Sequence, residues 1–385
     1  MNRDLILVIL SLLTWGIGEG MFISFEPLYL QELGANPMRI GAILGALGIS
    51  MTIAQAPAGY LSDRVGRKPL LVSAWVLGVI STGIMAWSTT LNLFVIGLLI
   101  YGLTSWVFSP LYSYVSASRG SLSIGRALTF TSASFHAGAI LGPLLGGWIG
   151  EHWGLRYTFV VAFFVFVVST ILILFIRPQA VEPVAPGEHR GDLFKNQRFL
   201  RFLGLILLVM VAMYLPQPLS PNFLKNVHLL DLEAIGRLVS MGSIGIVVLN
   251  LILGQLPVRT GFILAQIAVA GFVVFLWQGG GFPWFAMGYF LLGGYRVAIN
   301  LANAEVRELV TPANMGLAFG VAAGVALMAT VIAPPIAGYL FERNPAWMYP
   351  VSLGLILVGI GLSWRFLYKS RSQSSTFQAG EELEI

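Results

Sequence analysis

The chain has no cysteine among its 385 residues, and only 10% of those residues are charged. The first absence excludes disulfides and thiolate metal or redox centres, while leaving the compartment open. The second is more telling, because a water-soluble domain carries roughly 25% charged residues. With 57% of its residues hydrophobic, the chain cannot clothe a water-facing surface of this size and belongs in lipid. Also absent are GxxxxGKS/T, HExxH and GxSxG. No nucleotide site, metal centre or nucleophile elbow is therefore expected, and neither a cofactor nor enzymatic activity. Any work must draw on an ion gradient or on a solute's own gradient. The net charge of +5 does not point to nucleic acid as a partner, because Lys and Arg sit in short loops between apolar runs, without interleaved aromatics.

What is present is a series of apolar runs. A helix crossing a bilayer core needs about 20 mostly apolar residues. Twelve runs qualify, near 5–24, 38–59, 70–88, 92–114, 128–149, 157–176, 202–222, 238–257, 263–278, 282–300, 317–338 and 348–368. No A-x-A-like cleavage site follows the first, which reads as a retained span rather than a signal peptide. With a cytoplasmic N-terminus, sixteen Lys and Arg fall on the inner side; five, Arg39, Arg156, Lys225, Arg237 and Arg343, fall outside, and Arg296 lies within a span. That bias places both termini in the cytoplasm of a cell that carries the chain in its inner membrane. The Pro- and charge-rich stretch 177–198 separates six spans from six. The expected domains are an N-terminal six-helix bundle over 1–176, the linker 177–198, a C-terminal bundle over 199–370 and a polar cytoplasmic tail over 371–385.

The halves repeat. Gly59-x-Leu61-x-x-Arg64-x-Gly66 recurs as Gly254-x-Leu256-x-x-Arg259-x-Gly261, and Ile40-Gly41 as Ile235-Gly236, both at an offset of 195. Pro27 with Leu30 recurs as Pro221 with Leu224. "GPLLGG" at 142–147 answers "APPIAG" at 333–338, and Glu151 answers Glu342, at an offset of 191. Matches in order at nearly constant offset indicate a duplicated six-helix unit, an architecture of transporters. The fold class expected is an all-α polytopic membrane protein: twelve transmembrane helices in two pseudo-symmetric six-helix bundles.

Gly59-x-Leu61-x-Asp63-Arg64-x-Gly66-Arg67-Lys68 resembles the inner loop of the major facilitator superfamily, and Gly138-x-x-x-Gly142-Pro143-x-x-Gly146-Gly147 in span 5 resembles the motif of its drug:proton antiporters. The resemblance implies that the loop latches an inner gate. Span 11 begins near "TPANMG", where Thr311 or Asn314 can cap and Pro312 suits the first turn. A carboxylate at Asp63 facing that helix start gains about 0.3–1 kcal/mol. Arg64, Arg67 and Lys68 can pair with inner carboxylates or lipid headgroups, or simply satisfy positive-inside topology. The span 5 glycines present a small-residue face with a kink at Pro143, expected to pack against span 8 or 11. Two departures stand out: Leu98 occupies the place, four residues before Gly102, where these antiporters carry an arginine, and Val258 replaces the repeat of Asp63.

An ionisable side chain within a span is a functional candidate. Glu19, in "WGIGEGMF", stands about 21 Å into span 1; its repeat counterpart is Met213, so the duplication does not explain it. It is the candidate proton or cation carrier. Arg296 in span 10 is expected nearer the inner face, about 12 Å from Glu19 along the membrane normal. Its expected role is separate: holding an anionic moiety, replacing the missing span 4 charge, or snorkelling inward. His136 is a further proton candidate beside the span 5 motif, and Glu26 is expected to mark the outer interface. Polar cavity candidates are Gln217, Asn250, Asn300 and Asn303, and aromatic ones Trp15, Phe22, Tyr29, Trp106, Tyr112, Tyr214 and Tyr295; helix packing explains both sets equally well.

The leading expectation is a monomeric, proton-coupled efflux antiporter for small lipophilic or cationic compounds, whose partners are the solute, protons and membrane lipid. A nutrient, sugar or lipid-like metabolite carrier, and a non-transporting receptor or scaffold, stay open beside it.

Overall fold

The computed structural model describes residues 2–55, 65–179, 193–310 and 314–381. Among them the chain is helical, with no strand. In chain order the helices are α1 (Arg3–Phe22), α2 (Glu26–Glu32), α3 (Pro37–Gln55), α4 (Arg67–Trp87), α5 (Leu91–Leu103), α6 (Phe108–Ala117), α7 (Ile124–Trp153), α8 (Leu155–Leu174), α9 (Gln197–Tyr214), α10 (Ser220–Asn226), α11 (Leu232–Leu253), α12 (Val258–Gln278), α13 (Phe282–Leu292), α14 (Gly294–Leu309), α15 (Met315–Arg343) and α16 (Met348–Glu381). Among the described residues, eleven helical stretches are long and apolar enough to cross a membrane. The twelfth expected span, near 282–300, is two shorter helices, α13 and α14, meeting at Gly293.

The helix starts follow their side chains. Thr90 accepts from Leu93 N and Ser123 from Arg126 N, while Asn196 accepts from the amides of Arg198 and Phe199. These oxygens satisfy amides that have no partner within the helix. Most helices are apolar all round, as spans surrounded by lipid and protein must be. The exception is α14. It buries Val297, Ala298, Leu301, Ala302 and Val306, and carries Arg296, Asn300, Asn303 and Arg307 along the opposite stripe.

The chain forms two compact units. One comprises Met1–Pro186, Gln217–Ile244 and Thr330–Ala346. Its centre is an aromatic cluster in which Trp15 meets Phe166 at 4.3 Å and Trp75 at 4.9 Å, and Phe22 meets Phe159 at 5.4 Å between ring centres. The buried hydroxyls of Ser11 and Ser169 join α1 to α8, and Trp75 Nε1 donates to Ser169 Oγ at 2.8 Å. The other unit comprises Gly187–Pro216, Gly245–Ala329 and Trp347–Ile385. There α12 is central, packed on α9, α13, α14 and α16, with a buried bond from Gln266 Nε2 to Ser363 Oγ of 3.0 Å.

Candidate transport site

Glu19 lies sixteen residues into α1, whose path continues through a turn into α2; it therefore stands near the middle of the combined path. It is half-buried. Trp15 Nε1, one turn back, donates to Glu19 Oε2 at 3.2 Å, and the Tyr101 hydroxyl from α5 hydrogen-bonds the same carboxyl. Trp15 is itself wedged against the backbone of α4, since a methyl group at Gly78 would overlap its ring. The carboxyl is thus held from two sides and opens on the third to a cavity of about 140 Å³, whose walls include Ser24, Phe135, Pro143, Val239 and Ser243. A carboxyl held this way at mid-span can bind and release a proton without losing its position.

The glycine motif explains why α7 lies so close. Side chains at Gly138, Gly142 or Gly146 would run into the backbone of α1 at Leu13–Ile17, Ile17–Gly20 and Met21 respectively, and one at Gly16 would meet Phe135 O. Three of the motif glycines therefore pack on span 1, a partner that was not expected, while Pro143 and Gly147 meet span 8, one of the two expected partners, at Gly236 and Leu232. His136 sits beside the cavity wall with its ring 5.6 Å from that of Phe135, and it is Phe135 that lines the cavity.

At the end of this unit that carries Asn36, Glu151, Asp231 and Glu342, here called distal, the repeat becomes a pair of matched contacts. Gly236 of α11 lies on Pro143 O and Gly147 of α7; Gly41 of α3 lies on Pro334 O and Gly338 of α15. A Cβ at Gly147 would stand 3.2 Å from Gly236 Cα, and one at Gly338 would stand 3.2 Å from Gly41 Cα. Asn36 and Asp231 each cap the helix that follows, accepting from Arg39 N and Ala234 N. Glu151 Oε2 accepts from Leu232 N at 2.7 Å, with Lys225 Nζ 4.0 Å away; Glu342 accepts instead from the side chain of Asn36 at 3.0 Å. Between the two contacts Asn222 Nδ2 donates to Pro27 O at 3.1 Å and to Gln31 Oε1 at 2.7 Å.

Gly59, Asp63 and Arg64 of the loop motif lie outside the described residues, as do Thr311 and Pro312. Gly66 takes φ +90°, a conformation that L side chains rarely adopt, immediately before α4. Arg67 Nη1 donates to Gln179 Oε1 at 3.0 Å, and Gln179 in turn donates to Tyr114 O and Ser118 Oγ. Arg67 is thus tied to the start of the linker. Lys68 is half-buried beside it. Asn314 stands directly before α15, as the expected start of span 11 requires.

In the other unit, Gly245 of α11 and Gly293, where α13 meets α14, approach backbone to backbone. That contact places Asn250 opposite Asn300, whose Nδ2 donates to Asn250 Oδ1 at 2.8 Å. Tyr214 and Tyr295 lie 5.6 Å apart. Arg296, on the exposed stripe, is fourteen residues from the start of α13 and thirteen from the end of α14. It therefore stands at the middle of its path; the expected position nearer one face assumed a span ending at residue 300.

The remaining candidates scatter. Phe22 and Tyr29 are buried in aromatic packing, Trp106 donates to Leu70 O at 3.4 Å, Tyr112 is exposed, and Gln217 and Asn303 are half-buried. Leu98 is fully buried. Glu26, expected at an interface, is 2% exposed, and its Oε1 makes no hydrogen bond among the described residues. Sequence reasoning missed Tyr101, Phe135, Ser24 and Ser243, because nothing local distinguishes them from packing residues. Only the crossing of α5, α7 and α11 over α1 brings them to Glu19.

Comparison with known proteins agrees with this architecture. The chain is 32% identical over 154 residues to the tetracycline resistance protein, class H, of Pasteurella multocida, covering 39% of this chain and 38% of that one. It is 26% identical over 217 residues to the multi-drug resistance efflux pump PmrA of Streptococcus pneumoniae, covering 54% and 53%. It is 22% identical over 374 residues to multidrug resistance protein 2 of Bacillus subtilis, covering 90% and 91%. The chain thus spans about half the length, or less, of the first two. The crystal structure of the nucleoside transporter NupG superposes with a TM-score of 0.77 over 96% of this chain and 99% of that one, at 16% identity, a likeness of fold alone. A model of the Major Facilitator Superfamily matches residues 6–304. Repeat, helical architecture and family match together make the chain a multi-pass membrane protein that belongs to the Major Facilitator Superfamily.

Proposed function

We propose that the chain is a secondary transporter that couples inward proton flow to the export of small lipophilic compounds, cationic ones among them. The observation that carries this reading is Glu19: a carboxyl at mid-span, fixed by Trp15 and Tyr101, that opens to a cavity beside the antiporter-like glycine helix. Met213 at the repeat-related position means that the duplication does not require a carboxyl there. The efflux pumps among the relatives support the direction of transport. In this reading the chain sits in the inner membrane with both termini cytoplasmic, and the distal end faces outward. The two repeats move as six-helix bundles about the site, which is alternating access. With Leu98 where related antiporters carry arginine, proton coupling falls to Glu19.

The test is a pH gradient in everted vesicles. Addition of a panel of lipophilic amines, acids and zwitterions is expected to dissipate the gradient for at least one compound with the native chain. Glu19→Gln is expected to reduce that response to the level of vesicles lacking the protein while leaving membrane insertion intact. Full response from Glu19→Gln, or no response from any compound, overturns the reading; alkalinisation outside intact cells on adding a solute indicates uptake by symport instead.

A further inference from the structure

The second unit holds a polar group that the proton site does not use. Arg296 stands at the middle of the α13–α14 path, on the exposed stripe of an otherwise buried helix. Its guanidinium makes no hydrogen bond or ion pair among the described residues. A charge at that depth is expensive unless it meets water, a counter-ion or a ligand. The repeat does not ask for it. At the offset of 191, Arg296 corresponds to Ser105, which is buried and donates to Met51 O at 2.8 Å; packing at this position is met by a hydroxyl. Nor is α14 free to turn the arginine into its core. Val297, Ala298 and Leu301 are buried against neighbouring helices, and the Gly245–Gly293 approach fixes the register. That register sets Asn300 one turn from Arg296, paired with Asn250, and puts Tyr295, whose ring lies 5.6 Å from that of Tyr214, directly before Arg296 in the helix.

Five donor groups in a planar fork, an amide pair and two aromatic rings make a surface for a planar oxyanion attached to an apolar body. We propose that Arg296, with Asn250 and Asn300, forms a subsite for the acidic group of the transported compound, and that the cargo is therefore an amphipathic anion or zwitterion bearing a carboxylate, sulfonate or phosphate. This rests on the transport reading and narrows its cargo. A lipid headgroup offers the same chemistry, so the test separates the two sources.

The full-length protein, purified in a neutral detergent, is titrated with 1-naphthoate, with uncharged 1-naphthamide and with 1-naphthylmethylammonium. Binding is read by calorimetry and by the shift in melting temperature. Naphthoate is expected to bind about tenfold more tightly than the amide, the worth of one charge-assisted pair. Arg296→Gln should remove that preference, so that naphthoate binds no more tightly than the amide, while leaving the unliganded melting temperature unchanged. Arg296→Lys should keep part of it, and Asn300→Ala should lose a smaller share. If Arg296→Gln does not fold, the native chain still decides: naphthoate affinity must fall with added salt and amide affinity must not. Equal binding of naphthoate and amide, no binding of naphthoate at millimolar concentration, a preference for the ammonium, or a preference that survives Arg296→Gln overturns the proposal. So does displacement of naphthoate by sub-stoichiometric phosphatidylglycerol, which assigns the arginine to lipid. None of these readouts depends on a proton gradient, so failure here leaves the Glu19 test standing, and failure there leaves this one interpretable.

Discussion

The two distal contacts, α7 on α11 and α15 on α3, use one backbone geometry and different fasteners. Gly147 with Gly236 and Gly338 with Gly41 approach within the same few tenths of an ångström, and Pro143 O and Pro334 O lie against the facing glycine in each. Further along the interface the two part company. On α11, Ser240 Oγ donates to Ile140 O at 2.7 Å and Ser243 Oγ to Ala139 O at 3.0 Å. The repeat-related positions on α3 are Gly45 and Gly48, where a Cβ would meet the equivalent carbonyls of Val331 and Thr330. The α11 side thus offers two hydroxyls at positions where the α3 side has glycine. The carboxylates diverge for a reason readable in one residue: Leu232 has an amide for Glu151 to cap, whereas its counterpart Pro37 has none, so Glu342 takes the side chain of Asn36. Duplication preserved the shape of the approach and left the chemistry of holding it free to change.

The comparison can be broken most forcefully at its glycines. A leucine at Gly236 or Gly41 has no space, because its Cβ alone would overlap a proline carbonyl and stand within 3.2 Å of a facing glycine Cα. The native chain lacks cysteine, so Ser24→Cys places a unique thiol in the Glu19 cavity. Labelling of that thiol by an impermeant maleimide from the distal side is expected to rise by an order of magnitude or more with either Gly236→Leu or Gly41→Leu, since prying a packed core apart costs roughly 1–3 kcal/mol. Equal effects would mean that the two contacts share one seal; an effect from only one would assign the seal to that helix pair.

Next in size is the double change Ser240→Ala with Ser243→Ala. It removes two hydrogen bonds worth about 1 kcal/mol each and is expected to raise labelling severalfold. It leaves α11, like α3, with no hydroxyl at these two positions, so an unchanged rate would show that the hydroxyls add nothing to glycine packing. Smaller again is Glu151→Ala, which leaves Leu232 N without its acceptor, at a cost of about 1 kcal/mol. Glu342→Ala breaks only an exposed side-chain pair and should weaken the seal less, by a few tenths of a kcal/mol. A reversed order would refute the assignment of Glu151 to the stronger cap.

The smallest effect is that of pH, and it too is lopsided. Burial pushes His228 below its usual 6.5, and its counterpart Leu33 cannot titrate. The packed form resists protonation while the unfolded chain accepts it, so this contribution is intact above pH 6.5 and lost as pH falls towards the lowered value. Burial pushes Glu32 above the usual carboxylate range, with Lys225 opposing; its counterpart Val227 is again silent. Its penalty applies above the raised value and disappears as pH falls towards 4.5. Melting temperature measured from pH 7 to 5 should therefore fall less in His228→Gln and more in Glu32→Gln than in the native chain.

Much of this was legible without coordinates. Twelve apolar runs and the repeat offsets define the helices because lipid demands continuous apolar segments, and a duplicated unit repeats its close approaches at fixed spacing. Gly41, Gly236 and the span 5 glycines stood out for that reason. Their partners were legible only in part, because a small-residue face says that another backbone comes near and not which one; span 8 was among the expected partners of span 5 and does pack on it, whereas span 1, which meets Gly138, Gly142 and Gly146, was not expected. Glu19 was legible because a carboxyl inside an apolar run is conspicuous. Tyr101, which holds it, looks like any aromatic in a span. Arg296 was found, but the division of its span at Gly293 and the continuation of α14 to Leu309 were not.

The sequence by itself thus determined membrane residence, the duplicated helical architecture and the identity of the two mid-span charges. Each follows from composition and spacing, which lipid and gene duplication impose directly. Only the tertiary structure decided what surrounds those charges and how the helices meet: Trp15 and Tyr101 on Glu19, the glycine approach that aligns Asn250 with Asn300, and the unequal fasteners of the two distal contacts. These depend on which helix faces touch, and facing is settled by close packing among residues distant in the chain.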